Sequence, residues 1–77
     1  MKTNEEIAEI FNSMADILEI EDVQWKPRAY RAAAKSLQVL GRDVSEINRE
    51  GGLQGLEEIP GIGEGLGQKI VEYLKTF

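Results

Sequence analysis

Apolar residues recur at Ile7, Ile10, Phe11, Met14, Ile17 and Leu18. Steps of three and four place them on one stripe of an amphipathic helix. Thr3 and Glu6 stand ahead of the stripe at capping-box spacing, so the helix is predicted to begin near Thr3 or Asn4. Glu5 and Glu6 suit its positive end. Glu9, Asp16 and Glu19 fall elsewhere on its surface, as a solvated face does. The pattern lapses into a loop over 19–23. A second stripe follows at Ala29, Tyr30, Ala33, Ala34, Leu37 and Leu40. Its helix begins between Asp22 and Lys26, with Pro27 in the first turn, where a missing N–H costs nothing. The alanines permit close approach of a neighbour, and Gly41 is the expected left-handed cap.

Asp43 is placed to cap a short third helix carrying Val44, Ile47 and Asn48, which stops at Gly51-Gly52. A further short helix is expected over 53–58. The last spans about 64–75, with Leu66, Ile70, Val71, Tyr73 and Leu74 as its apolar positions. No segment alternates or is enriched in β-branched residues as a strand would be. The predicted class is all-α, a bundle of four to five short helices.

Composition narrows the chemistry. A chain of 77 residues is one domain, and a domain this small buries only about 60% of its unfolded surface. It has no cysteine and no histidine. Disulfides, zinc sites and Cys/His catalysis are therefore excluded, and stability must come from helix packing. No stretch has the length and apolarity of a membrane span, and the first residues are unlike a signal peptide, so the chain is expected to be cytoplasmic and not membrane-bound.

The net charge of −5 taken alone argues against a nucleic-acid partner. Its distribution says more. Residues 1–25 carry a net −6, residues 26–49 a net +4, and residues 50–77 a net −3. On the second helix Arg28, Arg31 and Lys35 are three and four residues apart and share a face, with Lys26 at its start. Two readings are open. The face is either a solvated counterweight to the acidic first helix or a ridge that contacts phosphate.

Gly61, Gly63, Gly65 and Gly67 resemble a nucleotide loop only superficially. The third glycine of G-x-G-x-x-G is replaced by Leu66, and Gly67 is followed by Gln68 where a P-loop needs lysine. A helical pattern precedes them, so the segment is a helix-to-helix turn. Pro60 and Gly61 fit the two central positions of a type II turn, the glycine supplying positive φ. Ile59 and Ile62 flank it as anchors. Gly63 and Gly65 leave amides uncovered at the start of the last helix, an anion site that fits a phosphodiester without reading sequence. This is a helix-hairpin-helix element, with the motif over about 53–75. The alternative is a hairpin that closes the core and binds nothing.

Three stretches together resemble the amino-terminal small domain of family X DNA polymerases, the family of DNA polymerase beta, and its bacterial and archaeal members most. They are Ile7-Ala8-Glu9-Ile10-Phe11 through Met14-Ala15-Asp16-Ile17-Leu18-Glu19, the block Arg28-Ala29-Tyr30-Arg31-Ala32-Ala33, and the hairpin over 59–74. The resemblance implies an all-α domain that binds gapped DNA or a single-strand/duplex junction. Backbone amides, here of Gly61, Gly63 and Gly65, contact one strand. It implies no tightly bound cofactor, but a sodium or potassium ion held by the carbonyls of Glu57, Ile59 and Ile62 in the DNA complex. Lys26 and Tyr30 match a 5′-phosphate pocket, and Lys69 matches the Schiff-base lysine of members that act as 5′-deoxyribose-phosphate lyases. Glu57 and Gly65 stand where polymerase beta has lysines, and Trp25 where it has a histidine, which implies weaker phosphate binding. The resemblance also implies a monomeric fragment of a longer polymerase, with no Asp triad for two-metal phosphoryl transfer in this chain.

Three functions follow as expectations. The first is a non-catalytic module that grips DNA for a polymerase in repair synthesis, through Lys26, Arg28, Tyr30, Arg31, Lys35, the hairpin glycines and Lys69. The second is a lyase with Lys69 as nucleophile. A Schiff base needs a neutral amine, which burial or a nearby cation such as Lys26 favours. The third is a protein-interaction domain that has lost DNA binding and meets a partner through its acidic first helix.

Overall fold

The computed structural model describes residues 1–22, 24 and 26–76. Val23 at the end of the predicted loop, Trp25 at the matched histidine position, and Phe77 lie outside the described residues. Four helices follow in order, α1 (Lys2–Ile20), α2 (Lys26–Val39), α3 (Val44–Glu57) and α4 (Glu64–Thr76). There is no strand among the described residues, and the all-α expectation holds.

Helix α1 begins earlier than the capping box predicts. Met1 is its N-cap, without a side-chain cap bond, and Thr3 lies inside the first turn. The physical reason is Asn4. It is 1% exposed, its Nδ2 donates to the Arg42 carbonyl at 2.7 Å, and its Oδ1 accepts from the Val44 N–H at 2.7 Å. One buried amide thus ties the start of α1 to the start of α3, with both of its polar atoms satisfied. At its other end α1 runs past the predicted loop start to Ile20. Asp22 then takes positive φ, 62°, a conformation Asp tolerates better than most residues. Its N–H donates to the Glu19 carbonyl at 3.1 Å.

The left-handed cap expected at Gly41 is absent. Among the described residues only Asp22, Gly52 and Gly61 have positive φ. The chain instead bends from α2 into the extended backbone of Asp43 (φ −68°, ψ 128°), whose carboxylate accepts from the Ser45 N–H. Those bonds, Ser45 Oγ first and then its N–H, hold the Asp43 carboxyl below its usual range.

Gly52 (φ 59°, ψ −150°) kinks α3 into two pieces. The third and fourth predicted helices are therefore one bent element, broken at the predicted Gly51-Gly52. The bend returns Gly55 to within 3.3 Å of the Ile47 carbonyl, measured from a Cβ built on the glycine.

The core draws on every helix. It contains Ile7, Ala8, Phe11 and Ala15 of α1, Tyr30, Ala33, Ala34 and Leu37 of α2, Val44 and Leu56 of α3, Ile59 and Ile62 of the hairpin, and Ile70 of α4. Phe11 is at its centre. Its ring meets Tyr30 edge-on at 5.5 Å and Tyr73 at 6.1 Å, geometries that aromatic quadrupoles favour. The sequence stripes are not wholly buried. Ile17 is 49% exposed, because the buried arc of α1 is centred on Asn4, Ile7, Phe11 and Ala15 rather than on the line through Ile10 and Ile17. Ala29 is exposed because α2 buries the arc through Pro27, Tyr30, Ala33, Ala34 and Leu37.

Candidate nucleic-acid interface

The hairpin turn has the predicted chemistry. The Ile62 N–H donates to the Ile59 carbonyl at 3.0 Å, closing a four-residue turn around Pro60 and Gly61. Gly61 has φ 84°, the value a type II turn needs at its third position. Ile59 and Ile62 are buried on either side. The turn is seated on α2 by Ser36, whose hydroxyl donates to the Pro60 carbonyl at 2.6 Å. A Cβ on Gly61 would approach Ala32 and Ser36. Ser36 escaped the sequence reading because an isolated serine on a helix carries no pattern.

Gly63 and Gly65 behave differently from Gly61 and Gly67. Neither has positive φ, and a Cβ at either would meet nothing within 4 Å. Packing does not require glycine at these two places. Both are exposed, so the missing side chains leave backbone open to an outside partner. The first intrahelical bond here runs from the Gly67 N–H to the Gly63 carbonyl, 2.8 Å. The amides before it have no partner within the helix, as at any helix start. Gly67 is buried, and a Cβ there would lie 2.7 Å from Leu53 Cδ1, so this glycine serves the packing of α3 on α4.

Beside the hairpin lies a cleft of about 250 Å³ lined by Lys26, Ala29, Tyr30, Gly65, Leu66 and Lys69. The first two turns of α2 supply Lys26, Ala29 and Tyr30. The beginning of α4 supplies the rest. Two helix N-termini therefore converge on one cleft together with two lysines. Both the dipoles and the ammonium groups favour an anion there. Tyr30 is 7% exposed and stands on Phe11, so the cleft wall is fixed from beneath.

Arg28, Arg31 and Lys35 do not form one ridge. Arg31 turns to α1, its Nη2 donating to Asp16 at 2.8 Å, and Nη2 and Nε both bonding Glu19. Those bonds, with Asp16 the larger, raise its pKa further above the ordinary arginine value. Arg28 stays exposed beside Glu19 and Asp22, lining a shallow depression with them. Lys35 is exposed without an ion pair among the described residues. Arg28 lies four residues before Ala32 and Lys35 three after it, so both neighbour the residue on which the turn sits. The basic face and the hairpin are adjacent, not opposed. Arg31, in its ion pairs with Asp16 and Glu19, fits the counterweight reading, and Arg28 lies beside the same acidic end.

The family model of the helix-hairpin-helix domain matches residues 2–77. The chain belongs to this family. Comparison with curated proteins and with solved structures finds no significant match. Helix-hairpin-helix domains generally bind DNA without sequence preference, and membership brings that function to this chain. The open amides at Gly63 and Gly65 suit such binding, since backbone groups position a phosphodiester and carry no base readout. No helix among the described residues is long and apolar enough to cross a membrane. No cluster of Asp and Glu among them is arranged to hold a metal ion.

Proposed function

We propose that this helix-hairpin-helix domain grips gapped DNA for a family X polymerase of which it is the amino-terminal part, and that its cleft takes the 5′-phosphate of the downstream strand. One observation carries the reading: Lys26 and Tyr30 share a single cleft with Gly65 and Lys69. The hairpin amides of Gly61, Gly63 and Gly65 follow the strand, while Arg28 and Lys35 supply sequence-independent attraction to flanking phosphates. The carbonyls of Glu57, Ile59 and Ile62 would hold a sodium or potassium ion shared with DNA. The turn suits this, since Ser36 occupies only the Pro60 carbonyl and the Ile59 carbonyl keeps a second lone pair beyond its bond from Ile62.

Titration of the ¹⁵N-labelled domain with gapped DNA tests the reading, with the 5′ end either phosphorylated or left as a hydroxyl. Shifts are expected at residues 26–35 and 59–69, with affinity falling steeply as salt rises. Loss of the phosphate should weaken binding about ten-fold, as for one charge-assisted contact. Equal affinity for both DNAs, or for intact duplex, would refute the gap assignment and leave plain backbone binding.

The same cleft supports a second reading. An abasic 5′-phosphate seated on Lys26 would present its C1′ aldehyde to the Lys69 amine. The amine would add to the carbonyl and expel water to form a Schiff base, and β-elimination would then release the strand. Borohydride trapping decides it. An adduct lost in Lys69→Ala supports a lyase, and no adduct ends that reading.

A further inference from the structure

Helix α1 carries more apolar residues than its core face uses. Ile7, Phe11 and Ala15 point inward, with Leu18 partly buried against them. A second line runs through Ile10, Ser13, Ile17 and Ile20 in steps of three, four and three. That alternation is the 3.5-residue period by which one helix receives another. Ile17 is 49% exposed and Ile20 85% exposed. Toward the amino terminus the line continues into a shallow groove of about 450 Å³ formed by Glu6, Glu9, Ile10, Ser13 and Met14. An exposed apolar strip rimmed by charge is unusual on a lone small domain and marks a contact surface.

Charge selects the occupant. Glu6 and Glu9 make no ion pair among the described residues, and residues 1–25 carry a net −6. Nucleic acid and anionic lipid are repelled by such a rim. A second copy joined face to face would set two segments of net −6 against each other in either direction. A helix with an apolar seam flanked by lysine or arginine satisfies both the period and the charge.

We propose that the outer face of α1 docks a basic amphipathic helix of a partner protein, independently of the DNA cleft. The two faces are built from different residues, so the domain can hold DNA and a partner together.

The test uses three synthetic peptides and the ¹⁵N-labelled domain. One peptide has leucines at 3.5-residue spacing flanked by lysines, the second replaces each lysine by glutamate, and the third scrambles the first. The lysine peptide is expected to shift amides of residues 6–20 and leave 59–69 unmoved. Ile17→Ser should weaken it about ten-fold, as for loss of an interface anchor. Glu6→Gln with Glu9→Gln should weaken it less and reduce its salt dependence. Both variants alter exposed or half-buried side chains, and an unchanged ¹⁵N–¹H spectrum at residues 59–69 with an unchanged thermal melt verifies that the fold persists. Equal binding of the scrambled peptide, shifts centred on the hairpin, or no binding would overturn the proposal. So would a concentration-dependent dimer by sedimentation that Ile17→Ser abolishes, since the occupant would then be a second copy.

Discussion

The α1–α2 pair and the hairpin that leads into α4 are built by opposite means. The pair is joined through side chains. Ile7, Phe11 and Ala15 meet Tyr30, Ala33 and Leu37 in the core, and Arg31 ties its rim to Asp16 and Glu19. The hairpin is organised through backbone. It relies on a turn hydrogen bond, a glycine at positive φ, a serine on a carbonyl, and two glycines whose missing side chains touch nothing. Glycine costs conformational entropy and is kept where something else needs the space. In the pair the neighbouring helix needs the small residues. At Gly63 and Gly65 nothing within the described residues does, and in the proposed reading the DNA backbone takes that space.

The sharpest way to break this contrast is to remove the one side chain on which both halves rest. Phe11 is fully buried against Tyr30 and Tyr73. Phe11→Ala should cost about 3–5 kcal/mol, comparable with the whole stability of so small a domain. Urea melts followed by circular dichroism measure it, and Phe11→Leu should recover most of the loss, since it refills the volume and forfeits only the ring contacts. If the halves were independent, the alanine variant would keep hairpin amide shifts while α1 and α2 melted. A single transition is expected.

A milder break lies at the junction of α2 and α3. Asp43→Ala removes the side-chain cap of α3, which should cost about 1 kcal/mol. The folded carboxyl lies below its ordinary range because it accepts from Ser45. Its contribution is therefore complete above the unfolded value of about 3.9 and is lost as pH falls through the lower folded value. Asp43→Asn keeps a capping group and should remove that part of the acid dependence. Melts at pH 7 and pH 3 separate the two variants.

Local chemistry was legible in the sequence and long-range pairing was not. Pro60 and Gly61 announced their turn because its dihedrals depend on those two residues alone, and Asp43 announced its cap for the same reason. Lys26 and Lys69 are 43 positions apart in sequence, and only the resemblance to polymerases brought them together before the fold did. Asn4 was invisible because its partners are about forty residues away, at Arg42 and Val44. The stripe through Ile7, Ile10, Phe11, Met14, Ile17 and Leu18 merged two faces, since steps of three and four fit both. Gly41 has the composition of a left-handed cap, yet the tie from Asn4 to the Arg42 carbonyl and the Asp43 cap carry the chain onward without one.

Gly65→Ala tests the hairpin side of the contrast directly. The position is helical, its φ is not positive, and an added Cβ has open space. Stability should rise by about 0.4–1 kcal/mol through the unfolded chain's lost freedom. In the proposed reading DNA affinity should fall about ten-fold, because the methyl would stand where the strand meets the amides. Fluorescence anisotropy with labelled gapped DNA and a thermal melt give both signs. If stability and affinity rose together, the glycine would have no role in binding.

The smallest effect is expected at Arg31, and it decides how far the basic helix serves DNA. Its guanidinium is exposed and shared between Asp16 and Glu19, and exposed pairs of this kind contribute little to stability. Arg31→Ala should lower the melting temperature slightly, with the loss shrinking in high salt as the charges are screened. A guanidinium already committed to two carboxylates has less to offer a phosphate than Arg28 or Lys35. Anisotropy should therefore show Arg31→Ala binding gapped DNA closer to the unaltered domain than Lys35→Ala does. The double variant Asp16→Asn, Glu19→Gln releases the arginine and removes two repelling charges, so it should bind DNA more tightly. Adding Arg31→Ala to that variant separates the causes. If the gain persists, lost repulsion produced it. If the gain disappears, the acidic helix had been holding back an arginine able to reach the strand, and the side-chain half of the molecule would limit the affinity of the backbone half.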